Sequence, residues 1–430
     1  MSSHTFARLR RVLHFFGTGV VDQVLLSGAN FIANFVMLRF TNDVAYTQFV
    51  LAQSTILLVI SAQGAWMSGP ANAIAPGKSP EVRRLMVGSF AASQARFLRR
   101  VSLALLVLTA AAYLLGFLTA TLAVVTAGNV VASWIALERQ YMRAVLLIYS
   151  RPAEMLHTDI VYVVVLLAGI AFAARSGSMA GPWAIAALIV AAWAGAAAGR
   201  KMLAVDPGWV TGDARPFWQE IRPLGAWAAV GAVIYWLFAQ SYNYVLATRL
   251  DVTAVADVNA ARLVLMPLMV FSIGINNLLM PVAAKWLAEF GLVRMLRRLG
   301  ALAVAILALD LVYVAVAWRL RHWLIVDLLH KTIGDQDRLL ILWAGVALIF
   351  MAREVLQAPL FALRRVKSMA WLIAVSAVLS LAVMWEGISW WGAAAVLIGQ
   401  LVGEWVYLLG LAWLMWRQVQ LNRIQPIKLS

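Results

Sequence analysis

The sequence contains no cysteine, which excludes disulfides, thiolate metal sites and cysteine nucleophiles. Histidine is scarce as well: its five residues, His4, His14, His157, His322 and His330, fall in expected loops or at the ends of apolar runs. No clustered imidazoles are left for a metal or a proton relay. Charged residues make up only 13% of the 430 positions. No P-loop, G-x-S-x-G or H-E-x-x-H pattern occurs, so nothing in the chain points to ATP hydrolysis, a serine nucleophile or a zinc helix. Neither a cofactor nor a metal is expected.

What the chain does have is apolar residues, at 63% of the total, and a mean hydropathy of +0.84. Those values lie outside the range of a water-soluble domain and define a polytopic membrane protein. The formal net charge of +16 does not indicate nucleic acid, because the Lys and Arg sit in short loops beside apolar spans. At the N-terminus, Arg8, Arg10 and Arg11 precede an apolar run too long for a signal-peptide core and lacking an A-x-A cleavage site, so it is expected to remain as the first span.

With about 20 residues per crossing, spans are expected near 17–40, 45–69, 101–117, 120–137, 159–174 and 183–199. A second set follows near 224–248, 258–282, 300–317, 339–358, 369–386 and 390–415. The expected fold is all-α, with about twelve transmembrane helices in two parallel six-helix lobes. The lobes cover 1–204 and 217–430, joined by a cytoplasmic linker over 205–216, VDPGWVTGDARP in its Pro-, Gly- and Asp-bearing part. Lys and Arg favour the side shared with the N-terminus by roughly three or four to one, Arg139 and Arg143 being counted there, so both termini are expected to be cytoplasmic. The basic segment Glu81–Arg100, with Leu85, Met86, Phe90 and Phe97, reads as an amphipathic helix at the headgroup level.

Polar residues inside the spans are ordered. In Gly17–Asp43, Gln23, Ser27, Asn30 and Asn34 recur at i, i+4, i+7 and i+11 and share one helical face, with Asp22 beside them. An echo about 210 residues later places Gln240, Asn243 and Tyr244 in the same stripe, with Arg249 answering Arg39 and Pro281 answering Pro70. Further polar positions are Gln53, Ser61 and Gln63, then Thr126, Asn129 and Ser133, then Asn259, Arg262, Asn276 and Asn277. Asp310, Arg353, Glu354, Gln400, Glu404 and Tyr407 complete the set. Amides in membrane helices often do no more than bond neighbouring helices, so each has a purely structural alternative. Arg39 and Arg249 lie near span ends, where snorkelling suffices. Arg262 lies deeper, where a lipid-exposed cation costs at least roughly 2.5 kcal/mol, and is the best single ligand-binding candidate. Asp22, Asp310, Glu404 and Arg353 are candidates for ion coupling or charge balance. The outer segment Arg319–Arg338 holds His322, His330 and Asp327 and leaves a polymerase or ligase reading open.

Three stretches carry a resemblance: FGTGVVDQVLLSGANFIANFVMLRFTNDVAYTQFVLAQS, the step SGPANA, and RLVLMPLMVFSIGINNLLMPVAAKW. Together they resemble the polysaccharide-exporting (Wzx-type) flippases of the multidrug/oligosaccharidyl-lipid/polysaccharide (MOP) superfamily. The resemblance implies a V-shaped transporter in the bacterial inner membrane. It would move an undecaprenyl-diphosphate-linked oligosaccharide, for O-antigen or exopolysaccharide, to the periplasmic leaflet by alternating access, driven by an ion gradient or the membrane potential. Partners implied are the lipid-linked oligosaccharide, the bilayer and polysaccharide polymerase or export machinery; no nucleic acid partner and no enzymatic activity are expected. On that reading a cavity between spans 1, 2, 7 and 8 would place Arg262, Arg39 and Arg249 against the diphosphate. Gln23, Asn30, Asn34, Gln240, Asn243, Tyr244 and Asn259 would contact sugar. A drug or metabolite exporter of the same superfamily is the nearest alternative.

Overall fold

A computed structural model describes residues 3–203, 210–363 and 365–424, with the side chains of 3–17, 20, 272–278, 280, 281, 284, 362, 366 and 422–424 outside that description. Residues 205–209 of the expected linker and the side chains of Arg8, Arg10, Arg11, Asn276, Asn277 and Pro281 therefore lie outside the described residues. Among the described residues, 12 helices are long and apolar enough to cross a membrane, and each overlaps one of the expected spans.

The chain divides into two compact units, Met1–Val233 and Ile234–Ser430, so the dividing point falls inside a helix. The first unit contains α1 (Ser3–Phe40), α2 (Asp43–Gln63), a π-helical turn (Gly64–Ser68), α3 (Gly69–Ile74), α4 (Pro80–Leu114), α5 (Ala120–Ile148), α6 (Pro152–Ala173) and α7 (Ala180–Leu203). It also takes the first half of α8 (Arg215–Arg249). The second unit has the rest of α8, α9 (Val252–Arg319), a π-helical turn (Trp323–Leu328), α10 (Gln336–Ala362), α11 (Val366–Trp391) and α12 (Ala394–Ile424).

Local sequence explains the boundaries. Asn42 caps α2 by accepting a hydrogen bond from the Ala45 amide at 2.8 Å, and Asp251 caps α9 in the same way through Ala254 at 2.8 Å. Each cap follows closely on an arginine in the last turn of the preceding helix, Arg39 or Arg249, so the two units begin their second spans alike. Between α4 and α5 the chain turns at Gly116, whose φ of 80° lies where a side chain is strained. Another such position, Gly291, has φ 74° and ψ 173° and interrupts α9.

Two expectations are corrected. The basic segment Glu81–Arg100 is no separate surface helix, because α4 runs unbroken over 35 residues, about 52 Å at 1.5 Å per residue. Its apolar face is covered by protein only in its first half: Met86 and Phe90 are buried, with the Phe90 ring 4.7 Å from that of Trp218 and 6.2 Å from that of Phe217 at the start of α8, while Phe97 stays exposed. Arg139 and Arg143 are likewise not loop cations. They lie within α5, where Arg139 is buried and both are engaged in ion pairs, and setting them aside does not reverse the charge bias.

Candidate functional site

In each unit the first two membrane helices are joined by side-chain amides. In the first, Asn34 of α1 donates through Nδ2 to the Asn30 carbonyl at 2.8 Å and to Gln53 Oε1 of α2 at 3.1 Å. Gln53 Nε2 returns a bond to Asn30 Oδ1. In the second unit, Asn259 of α9 donates to Asn243 Oδ1 of α8 at 2.7 Å and to the Val255 carbonyl at 2.9 Å. The Tyr242 hydroxyl donates to Asn259 Oδ1 at 2.9 Å. Asn243 and Asn259 are buried, whereas Asn30 remains half-buried and Gln23 is exposed, bonded along its own helix to Ser27 at 3.3 Å. Gln240 and Tyr244 stay half-buried on α8, Gln240 accepting from Asn243 Nδ2 at 3.4 Å and Tyr244 packing at 5.6 Å on Trp236. The expected stripes are therefore partly clasps between helices and partly exposed polar surface.

Charges inside the spans fall into two groups. In the first unit Arg143 bridges two carboxylates, with Nη2 2.7 Å from Asp22 Oδ2 and Nε 2.7 Å from Asp159 Oδ2. Arg139 pairs with the other oxygen of Asp159 and lies 3.6 Å from the centroid of the Tyr162 ring. Two guanidiniums and two carboxylates thus tie α1, α5 and α6 together with no net charge. In the second unit Arg353 of α10 sits with its Nε 3.0 Å from Glu404 Oε2 of α12 and its Nη2 3.6 Å from Glu354. The rings of Phe350 and Tyr407 lie 4.5 and 5.3 Å from that guanidinium. Gln357 donates to Glu354 at 2.7 Å and accepts from the Tyr407 hydroxyl at 3.4 Å, so the second group is a single network.

Arg262 stands apart. It lies 11 residues past the α9 cap at Asp251, about 16 Å along the helix and so about half the apolar thickness of a bilayer. It is half-buried and has no carboxylate partner among the described residues; its guanidinium is 5.9 Å from the ring of Trp343. The Trp343 indole is itself fixed by donating to the Val258 carbonyl at 2.9 Å. Arg249 is exposed with its guanidinium 4.4 Å from the Trp385 ring, and half-buried Arg39 lies 5.2 Å from Phe40. Asp310 is fully buried, and neither carboxylate oxygen has a hydrogen-bond partner among the described residues.

The segment Arg319–Arg338 offers no acid–base constellation among the described residues. Arg321 is bound to Asp337 through Nε at 2.7 Å, which joins the end of α9 to the start of α10, and Arg338 pairs with Asp335 at 3.4 Å. His322 and His330 are both exposed, at opposite ends of the π-helical turn. Among the described residues no group of three His, Cys, Asp or Glu side chains comes close enough to hold a metal ion.

Sequence reasoning missed the Arg139–Asp159–Arg143–Asp22 network. The signal was present: Arg139 and Arg143 are four residues apart, so they share a helical face that a loop reading ignores.

The fold is that of MOP-superfamily transporters. An inward-facing multidrug resistance MATE family transporter of that superfamily superposes with a TM-score of 0.77 at 11% identity, over 94% of this chain and 96% of that one. The lipid II flippase MurJ, in an inward closed conformation, gives a TM-score of 0.70 at 10% identity over 96% of this chain and 91% of that one. A mutant of the Vibrio cholerae MATE transporter VcmN gives 0.58 at 14% identity over 99% of both chains. No protein-family model matches the sequence, and no curated protein does.

Proposed function

We propose that the chain is a flippase that carries an undecaprenyl-diphosphate-linked oligosaccharide from the cytoplasmic to the periplasmic leaflet of the bacterial inner membrane by alternating access. The observation that carries this reading is Arg262. Asp22, Asp159 and Glu404 already have guanidinium partners, while Arg262 has none of opposite charge among the described residues, sits about three turns inside its span, and is only half-buried. A cation held there without a counter-ion is costly unless an anion visits it. A diphosphate supplies that anion, and a guanidinium binds phosphate oxygens two at a time. Arg249, at the end of the helix before α9 in the same unit, adds positive potential. Half-buried Gln240 and Tyr244 of that unit offer hydrogen bonds to sugar hydroxyls. A lipid II flippase is among the proteins of similar fold, which supports a lipid-linked substrate.

A second reading, drug or metabolite export, is supported by the MATE transporters of the same fold. The cations weigh against it for positively charged drugs, since Arg262 would repel them. The test is export by cells carrying Arg262→Ala. Polysaccharide at the surface should fall at least about tenfold with the protein still in the membrane. Undiminished polysaccharide would remove Arg262 from the mechanism.

A further inference from the structure

Between α2, α4 and α5 in the first unit lies a cavity of about 780 Å³, within the usual size of a small-molecule site. It is distinct from the charged network of Asp22, Arg139, Arg143 and Asp159, none of which lines it. Its wall runs along α4 from Gln94 to Leu105, about 16 Å of helix, and no charged side chain is among its lining residues. Phe97, Val101 and Leu105, on the α4 wall, are themselves exposed, so one side of the cavity gives onto the surface a bilayer covers.

Four polar atoms of residues in this largely apolar lining have nothing to bond. Gln63 Oε1, Asn129 Oδ1, Ser133 Oγ and Trp134 Nε1 all belong to residues lining the cavity, and all are buried without a hydrogen-bond partner among the described residues. Gln63 is held in place, because its Nε2 donates to Gln94 Oε1 at 2.9 Å and to the Leu137 carbonyl at 3.4 Å. Such groups ordinarily find a partner, since an unpaired buried donor or acceptor carries its full desolvation cost. Two amide oxygens want a donor, the indole wants an acceptor, and the serine hydroxyl takes either role. A single hydroxyl satisfies both kinds, whereas an ionised phosphate or ammonium would find no counter-charge in the lining.

We propose that this cavity binds an uncharged lipid alcohol from the membrane, its hydroxyl among Gln63, Asn129, Ser133 and Trp134 and its hydrocarbon along Phe97, Val101 and Leu105. The site is independent of Arg262 and of the flippase reading. An alcohol of isoprenoid or of glyceride origin would present the same chemistry.

The experiment uses the full chain in nanodiscs with diazirine-bearing dodecanol and the matched diazirine dodecane, followed by peptide mapping of the labelled sites. Dodecanol should concentrate its label in 59–67, 94–105 and 126–137, while dodecane should spread over apolar surface in both units. Ser133→Ala or Asn129→Leu should weaken dodecanol labelling there about five-fold, the worth of one hydrogen bond. Because both remove unpartnered atoms, neither should lower the thermal midpoint of the unliganded protein. Val130→Trp, which fills the cavity, should abolish the label. Competition by farnesol but not by dioleoylglycerol identifies the isoprenoid source, and the reverse pattern the glyceride source. Equal labelling by alcohol and hydrocarbon, labelling unchanged in Ser133→Ala and Asn129→Leu, or an unlabelled cavity holding water only would each overturn the proposal.

Discussion

Asn259 donates a hydrogen bond of 2.7 Å to Asn243, joining α9 to α8, as Asn34 and Gln53 join α1 to α2. The two clasps occupy corresponding places in the units, each between the helix with arginine in its last turn and the helix that the cap begins. Such a correspondence is what a duplicated unit would produce.

Replacing Asn259 by Leu should therefore loosen the second unit. It removes bonds to Asn243, Val255 and Tyr242 and takes away the oxygen to which the buried Tyr242 hydroxyl donates. Interhelical bonds in membranes are modest, so the expected loss is about 1–2 kcal/mol, read as a lower thermal midpoint in detergent. An unchanged midpoint would show that the clasp does not hold the helices.

The Arg353–Glu404 pair should behave as a unit. Both side chains are buried, at 1% and 2% exposure, with 3.0 Å between them. Arg353→Leu leaves a buried carboxylate unpaired and should cost about 3–5 kcal/mol, while Arg353→Leu with Glu404→Leu should recover most of it. Purified yield and thermal midpoint of the three proteins provide the check. A double variant as damaged as the single one would count against a paired role.

Gly225 has no room for a side chain. A β-carbon there would come within 2.1 Å of the Trp66 carbonyl oxygen, which is backbone and cannot swing away. Gly225→Ala should displace the start of α8 and destabilise the first unit by about 1–3 kcal/mol. Gly231→Ala, where a β-carbon meets nothing within 4 Å, should leave stability unchanged and is the matched control.

At Arg262, charge reversal should be worse than neutralisation. If the guanidinium binds an anion, Arg262→Ala removes attraction and Arg262→Glu adds repulsion, worth at least about another tenfold in export. Comparing polysaccharide yield at matched membrane levels decides it. Equal yields from the two variants would argue against an anion site.

Much of the fold was legible because period and length suffice for membrane helices. The apolar run Ala120–Leu137 and the break at Gly116 needed no tertiary knowledge. Positions set by neighbours were harder. Met86 and Phe90 look like a lipid-facing stripe until Phe217 and Trp218 cover them, because lipid and apolar side chains select the same residues. Asp159, at the edge of a span, looks like an ordinary end residue until α5 brings Arg139 and Arg143 against it. The polar stripe of α1 was visible, but its division into Asn30 and Asn34 bound to Gln53 and a still-exposed Gln23 depends on the packing of α2.

The most direct measurement is the sidedness of lipid-linked oligosaccharide in the inner membrane after the protein is removed. Flipping predicts that the intermediate accumulates on the cytoplasmic leaflet, inaccessible to a glycan-cleaving probe added from the periplasmic side. Accumulation on the periplasmic leaflet, or no accumulation at all, would contradict it.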